Sequence, residues 1–229
     1  MKKTTLIILA LILIIGGMYY YNKFVKNKVI NNNPIFGKTQ VTVNNKKITE
    51  GGKNYTIDIT YPLVDVKFVD EDMNKLINEQ IDQFKNDIGT EVISPNWQNT
   101  LFINYEIINN SDSLLSLKFD VELFTGGAHP NHFIITRNYD LDTESIITLW
   151  TILEDQEGLN KVALITLDYF KHQQLEYDLF TDGLEAKKEN YERFNLKKDS
   201  VIFYFPEYQI APYVAGPQQI EIKLNDLNK

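Results

Sequence analysis

Two histidines three residues apart, His129 and His132, close the run Phe124-Thr125-Gly126-Gly127-Ala128-His129-Pro130-Asn131-His132. With Asp120 or Glu122 nearby they make the chain's best candidate for a zinc site, since zinc takes imidazole nitrogen and carboxylate oxygen in a tetrahedral set. The spacing fixes no third ligand. His172 is the remaining histidine and falls on the charged face of an expected helix. The reading is therefore that His129 hydrogen-bonds backbone within its loop, that His132 opens a strand, and that no metal or cofactor is bound. The chain has no cysteine, which removes disulfides, thiol catalysis and zinc-thiolate sites. It has neither a Gly-x-Ser-x-Gly elbow nor a His-Glu-x-x-His pair. Its 31 acidic residues leave a glycosidase-type carboxylate pair available by count, but no spacing singles one out.

A second loop carries binding chemistry of another kind: Pro206-Glu207-Tyr208-Gln209-Ile210-Ala211-Pro212-Tyr213-Val214-Ala215-Gly216-Pro217. Its prolines preset φ and lower the entropy lost when a long connection is ordered. Tyr204, Tyr208 and Tyr213 give it an aromatic character suited to sugar or protein contact. The competing reading is that these tyrosines cover the edge of the core. In the first loop Gly126 and Gly127 permit positive φ and close approach of another backbone, for a ligand or only for a tight hairpin connection. Asp199 and Glu207 flank the second loop and are candidates to receive a cation. The candidate ligand-binding set is Gly126, Gly127, His129, Tyr208, Tyr213 and Glu207, with no catalytic residue assigned.

The elements that must position these loops follow from periodicity. Tyr55, Ile57, Ile59 and Tyr61 alternate as a half-buried strand that Pro62 is expected to break. Asp70 is the expected N-cap of a helix with Met73, Leu76, Ile77, Ile81, Phe84 and Ile88 on one face, closed by Gly89. Strands are expected at Leu101–Ile107, Leu115–Leu123 and Phe133–Asp140, the first two joined as a hairpin by Asn109-Asn110-Ser111-Asp112. The second half opens with a helix from about Glu157 to Gln174. A charged segment follows, with Phe194 tucked in, and then strands at Val201–Phe205 and Ile220–Leu224. The class is α+β: antiparallel sheets, each with a packed helix, in two subdomains.

The Gly-Gly-Ala-His loop, the stretch Asn138-Tyr139-Asp140-Leu141-Asp142-Thr143, and the Ala-Pro-Tyr…Ala-Gly-Pro loop, in this order, resemble the paired bacterial extracytoplasmic domains DUF4163 and DUF3298. The resemblance covers roughly Tyr55 to Leu224. It is similar to the non-catalytic region of cell-wall deacetylases and to the outer domain of lysozyme-sensing anti-sigma factors. The deacetylases add a catalytic domain, which is not expected here because the last expected strand lies close to Lys229. The anti-sigma factors add an intracellular segment, and here only Met1 to Lys3 precede the apolar stretch. The resemblance therefore implies a binding module rather than an enzyme.

That apolar stretch, Thr4 to Asn22, carries no charge and follows Lys2 and Lys3. As a helix it would cross about 28 Å of hydrocarbon. Tyr19, Tyr20 and Tyr21 resemble an interfacial aromatic belt, and no Ala-x-Ala cleavage pattern follows. Residues 4–22 are expected to be an uncleaved signal anchor, with cleavage after Gly17 as the alternative. Residues 23–52 are the expected linker, 53–150 the DUF4163-like subdomain and 151–229 the DUF3298-like subdomain. From residue 31 onward, 18 of the 23 basic residues face all 31 acidic ones, a net charge of −13. Such a field repels nucleic acid and favours cationic partners. The expected function is a membrane-anchored, extracytoplasmic module at the bacterial cell envelope that binds a cationic, lysozyme-like protein or peptidoglycan. The alternative is a wall-polymer hydrolase or deacetylase working through carboxylates.

Overall fold

Alternating apolar residues demand a sheet with one buried face, and the computed structural model provides it within residues 40–89, 98–173 and 177–227, the residues described. The expected anchor at 4–22 and most of the expected linker lie outside them. Among the described residues no helix is long and apolar enough to cross a membrane.

The first sheet has six strands in sequence order: β1 (Asn44–Gly51), β2 (Tyr55–Leu63), β3 (Asn99–Asn110), β4 (Leu114–Phe124), β5 (Asn131–Asp140) and β6 (Ser145–Ile146). Neighbours are antiparallel except β2 and β3, which run parallel and are joined through helix α1 (Lys67–Ile88). The helix returns the chain to the end of the sheet where β2 began, so β3 must run the same way. This corrects the expectation of antiparallel pairing throughout.

Alternation along β2 to β5 sends Ile57, Ile59, Leu101, Ile103, Leu117, Phe119, Val121 and Tyr139 to one face, where Val69, Met73, Leu76, Ile77 and Phe84 of α1 cover them. Tyr139 is fully buried there, and its hydroxyl donates to Asp72 Oδ2 on α1 at 2.6 Å. Burial first, and then that carboxylate, push its pKa far up. Arg137 Nε donates to the same oxygen at 3.0 Å.

Three local expectations fail for physical reasons. Pro62 does not break its strand: β2 runs on to Leu63, because the pairing with β3 ends at Ile59 and the proline sits beyond that ladder. Asp70 is not the N-cap. The helix starts at Lys67 behind Val66, and Asp70 Oδ1 reaches back from the first turn to accept the Val64 N–H at 2.8 Å. Residues 44–51 of the expected linker are strand β1. Its sequence Asn-Asn-Lys-Lys-Ile-Thr-Glu-Gly is polar because it is an exposed edge, a common protection against edge-to-edge association. Lys85 Nζ and the Tyr55 hydroxyl both donate to Glu50 Oε1, at 2.7 and 2.5 Å, and tie β1 to the helix.

The second half follows as α2 (Leu149–Leu153), α3 (Gln156–His172), a 3-10 turn (Thr181–Leu184), α4 (Lys188–Tyr191), β7 (Phe194–Leu196), β8 (Ser200–Phe205), a 3-10 turn (Tyr213–Ala215), β9 (Gln218–Lys223) and α5 (Leu224–Leu227). Strands β7, β8 and β9 form an antiparallel sheet in that order. Phe170 of α3 meets Phe205 edge-on at 5.7 Å, and Tyr191 of α4 meets Phe203 and Phe205.

The two sheets are joined through a buried polar cluster. Ser116 Oγ donates to Asn138 Oδ1 at 2.6 Å, and Asn138 Nδ2 donates to the Phe194 carbonyl at 2.8 Å. Asn195 Nδ2 donates to the Leu117 carbonyl at 2.9 Å, and the Leu196 N–H donates to Asn138 Oδ1 at 3.0 Å. Ser116 and Asn138 project from the sheet face opposite α1, so β7 docks on that face at one end and leaves the other end open.

Candidate functional site

At the open end of that face, β3, β4 and β5 present two cross-strand rows. Register aligns Phe102 with Glu122 and His132, and Asn104 with Asp120 and Ile134. These side chains form the floor of a cleft of about 400 Å³, and Pro206, Glu207 and Pro217 of the proline-rich loop form its wall. Asp120 lies 3.0 Å from Lys118 Nζ. Among the described residues no Lys or Arg pairs with Glu122 or Glu207. His132 Nδ1 is 3.9 Å from Glu122 Oε2.

The two loops meet at the cleft's rim. The His129 ring stacks on Tyr213, with centroids 4.5 Å apart and planes 28° apart. Tyr213 in turn stacks on Tyr208 at 5.6 Å and 29°. His129 Nδ1 hydrogen-bonds the Pro130 carbonyl at 2.8 Å, the within-loop bond expected from sequence. Gly126 and Gly127 have φ of 107° and 112°, and a Cβ on either would meet nothing within 4 Å. They are glycines because the backbone turns left-handed, not because another chain segment presses on them. Tyr208 has the same handedness without being glycine, φ 66°, and is 59% exposed. A bulky residue held there stores strain, a condition that clusters at ligand-contacting sites.

The proline-rich loop is pinned from beneath. Gln209 Nε2 donates to the Gly183 and Asn190 carbonyls at 3.0 Å each, and the Phe180 N–H donates to the Ile210 carbonyl at 2.8 Å. Tyr204 does not join the rim. It is buried, with Lys118 Nζ 5.8 Å above its ring, and burial pushes its hydroxyl pKa far up. Its alternation along β8 turns it inward, whereas Tyr208 and Tyr213 lie past the strand's end. Asp199 and Glu207 stand at opposite ends of β8 and cannot share a cation.

His129 and His132 are thus engaged in different directions, one on the aromatic rim and one beside Glu122. Among the described residues no group of three or more His, Cys, Asp or Glu side chains is placed to hold a metal ion. Residues of the floor other than Asp120, Glu122 and His132 carried no signal in the sequence. Alternation shows that Phe102, Asn104 and Ile134 face away from α1, but not that a loop a hundred residues on stands beside them.

Residues 144–225 match the family described as DUF3298, a protein family of unknown function. That stretch is therefore similar to DUF3298 domains. Residues 48–132, before it, match the family described as Deacetylase PdaC. Over 183 residues the chain is 28% identical to the peptidoglycan-N-acetylmuramic acid deacetylase PdaC of Bacillus subtilis, covering 77% of this chain but 39% of that protein. The chain therefore spans well under half of that relative's length. In fold it is similar to a DUF3298 family member from Bacteroides fragilis (TM-score 0.56, 17% identity, 83% of this chain and 94% of that one). It is also similar to a DUF3298 family protein from Pseudomonas aeruginosa (TM-score 0.55, 16% identity, 85% and 95%). The Gly-Gly-Ala-His loop falls in the stretch that matches the PdaC family and the proline-rich loop in the stretch that matches DUF3298, so the rim draws on both matched stretches.

Proposed function

We propose that this chain is a non-catalytic binding module of the bacterial cell envelope, anchored by residues 4–22 and facing outward, whose partner is a cationic protein. The observation that carries this reading is the cleft. Its carboxylates Glu122 and Glu207 have no Lys or Arg partner among the described residues, and it is rimmed by the His129–Tyr213–Tyr208 stack. Apolar floor residues and exposed aromatics supply contact area, and the carboxylates select for basic side chains. A lysozyme-like protein has that character, in keeping with the resemblance to lysozyme-sensing outer domains. The partial match to a peptidoglycan deacetylase supports the wall as the setting. The same match and the stacked rings favour peptidoglycan as the second ligand.

The test is equilibrium binding of the full chain to lysozyme and to purified peptidoglycan at low and high salt. The expected result is lysozyme binding that weakens about 10-fold or more as salt rises from about 0.05 to 0.5 M. Glu122→Gln and Glu207→Gln should each weaken it at low salt. Release of acetate or reducing ends from peptidoglycan would overturn the non-catalytic reading, and salt-insensitive binding would overturn the role of charge.

A further inference from the structure

The cleft has a feature that neither its charge nor its aromatic rim uses. Strand β5 is next to the edge of its sheet, and its short neighbour β6 pairs only with Tyr139 and Asp140. The Ile147 N–H donates to the Asn138 carbonyl at 2.7 Å, so Asn138 directs its main-chain groups away from β4. The β4–β5 register is regular from Asn131 to Asp140. By alternation Thr136, Ile134 and His132 direct their N–H and C=O groups to the same outer side. At Thr136 this is borne out directly, because the Arg137 guanidinium folds back and donates to its carbonyl at 3.1 Å. Arg137 closes the edge there. No described residue pairs with the outward main-chain groups of Ile134 and His132. Both residues line the cleft, and so does Phe133, whose ring packs on the α1 side and which therefore meets the cleft through its backbone.

We propose that the β5 edge at His132–Ile134 receives an extended, basic segment of the partner protein as an added strand. This rests on the cationic-partner reading and states how the partner is held. Main-chain hydrogen bonds to His132 and Ile134 fix the segment's direction and register, the usual source of affinity in strand addition. Every second side chain then points over the cleft, where Glu122 and Glu207 supply the complement for lysine or arginine. The Arg137 plug sets one end of the added strand, and the His129 loop sets the other. An unpaired edge of only two residues is too short to template unrestrained association of the chain with itself.

The test is amide hydrogen exchange on the full chain with the probe acetyl-(Lys-Val)4-amide. At saturating peptide the amides of His132 and Ile134 should slow about 10-fold or more, while Phe133 and Ile135, already in the β4 ladder, change little. Methylating the peptide's backbone nitrogens on alternate residues should abolish binding in one phase of alternation and not in the other. Ile134→Pro, which removes one outward donor, should weaken binding about 10-fold. The methylated peptides keep the test decisive if that variant does not fold. Peptide bound with no protection at His132 and Ile134, or tolerance of both methylation phases, overturns strand addition and leaves the acidic-cleft reading standing. Peptide and lysozyme both failing to bind overturns both readings. Protection raised by peptidoglycan fragments but not by the peptide overturns strand addition in favour of a glycan site.

Discussion

Tyr208 allows the rim to be tested apart from the fold, because its backbone and its ring work in opposite senses on stability. At φ 66° a residue with a Cβ is less stable than glycine by about 1 kcal/mol. Its ring, 59% exposed and stacked on Tyr213 at 5.6 Å, contributes about 1 kcal/mol through that pair. Tyr208→Ala loses the pair and keeps the strain, so it should destabilise by about 1 kcal/mol. Tyr208→Gly loses the pair and relieves the strain, so it should lie near the parent. For a unit of this size that separates the two variants by about 2–4 °C in Tm, with glycine the higher. Thermal unfolding followed by circular dichroism reads this directly. Binding to lysozyme should fall about 10-fold in both variants alike, because both lack the ring. Alanine as stable as glycine would refute the strain argument. Parental affinity in either variant would remove Tyr208 from the binding surface.

Three further outcomes are expected. Asn138→Ala, which leaves the Ser116 hydroxyl and the Phe194 carbonyl without their buried partner, should cost about 3 kcal/mol in urea denaturation. A cost below about 1 kcal/mol would mean that water replaces the side chain. Gly183→Ala would place a Cβ 1.9 Å from the Gln209 carbonyl oxygen, and should destabilise by about 2–3 kcal/mol and weaken lysozyme binding through displacement of the proline-rich loop. Unchanged affinity would show that the loop is not set from beneath. Hydrogen bonds from Lys85 to Glu50 and from Lys197 to Glu221 hold both carboxyls below the ordinary glutamate range. Their contribution to stability is complete above about pH 4.3 and is lost as pH falls through their lowered values. Glu50→Gln and Glu221→Gln should each flatten the denaturation midpoint's fall between pH 5 and 3, and an unaltered slope would refute the assignment.

Strong periodicity was legible. The apolar face of α1, its stop at Gly89, and the presence of strands at β3, β4 and β8 all follow from residue order, although β8 is buried on both faces rather than on one. The helix expected from about Glu157 was legible too, as α3 (Gln156–His172). What escaped was set by tertiary context. β1 looks like a linker because an edge strand needs polar, Lys-bearing residues, and β7 has three residues, too few to show a period. The parallel β2–β3 pair depends on where α1 returns the chain, which no local pattern encodes. At the site, His129, Tyr208, Tyr213 and Glu207 were legible one by one from composition. Their assembly was not, since the His129–Tyr213 stack joins loops far apart in sequence.

The shared hydrogen bonds of Ser116, Asn138, Asn195 and Leu196 have a bearing on how this protein can be cut or recombined. The stretches assigned to separate families, 48–132 and 144–225, contribute donors and acceptors to one water-poor seam, with Asn138 from the short span separating them. A chimera that exchanges either stretch with a homologue inherits half of a lock without its key. Successful grafts will be those that transplant the seam residues as a set, whatever the boundary suggested by sequence similarity.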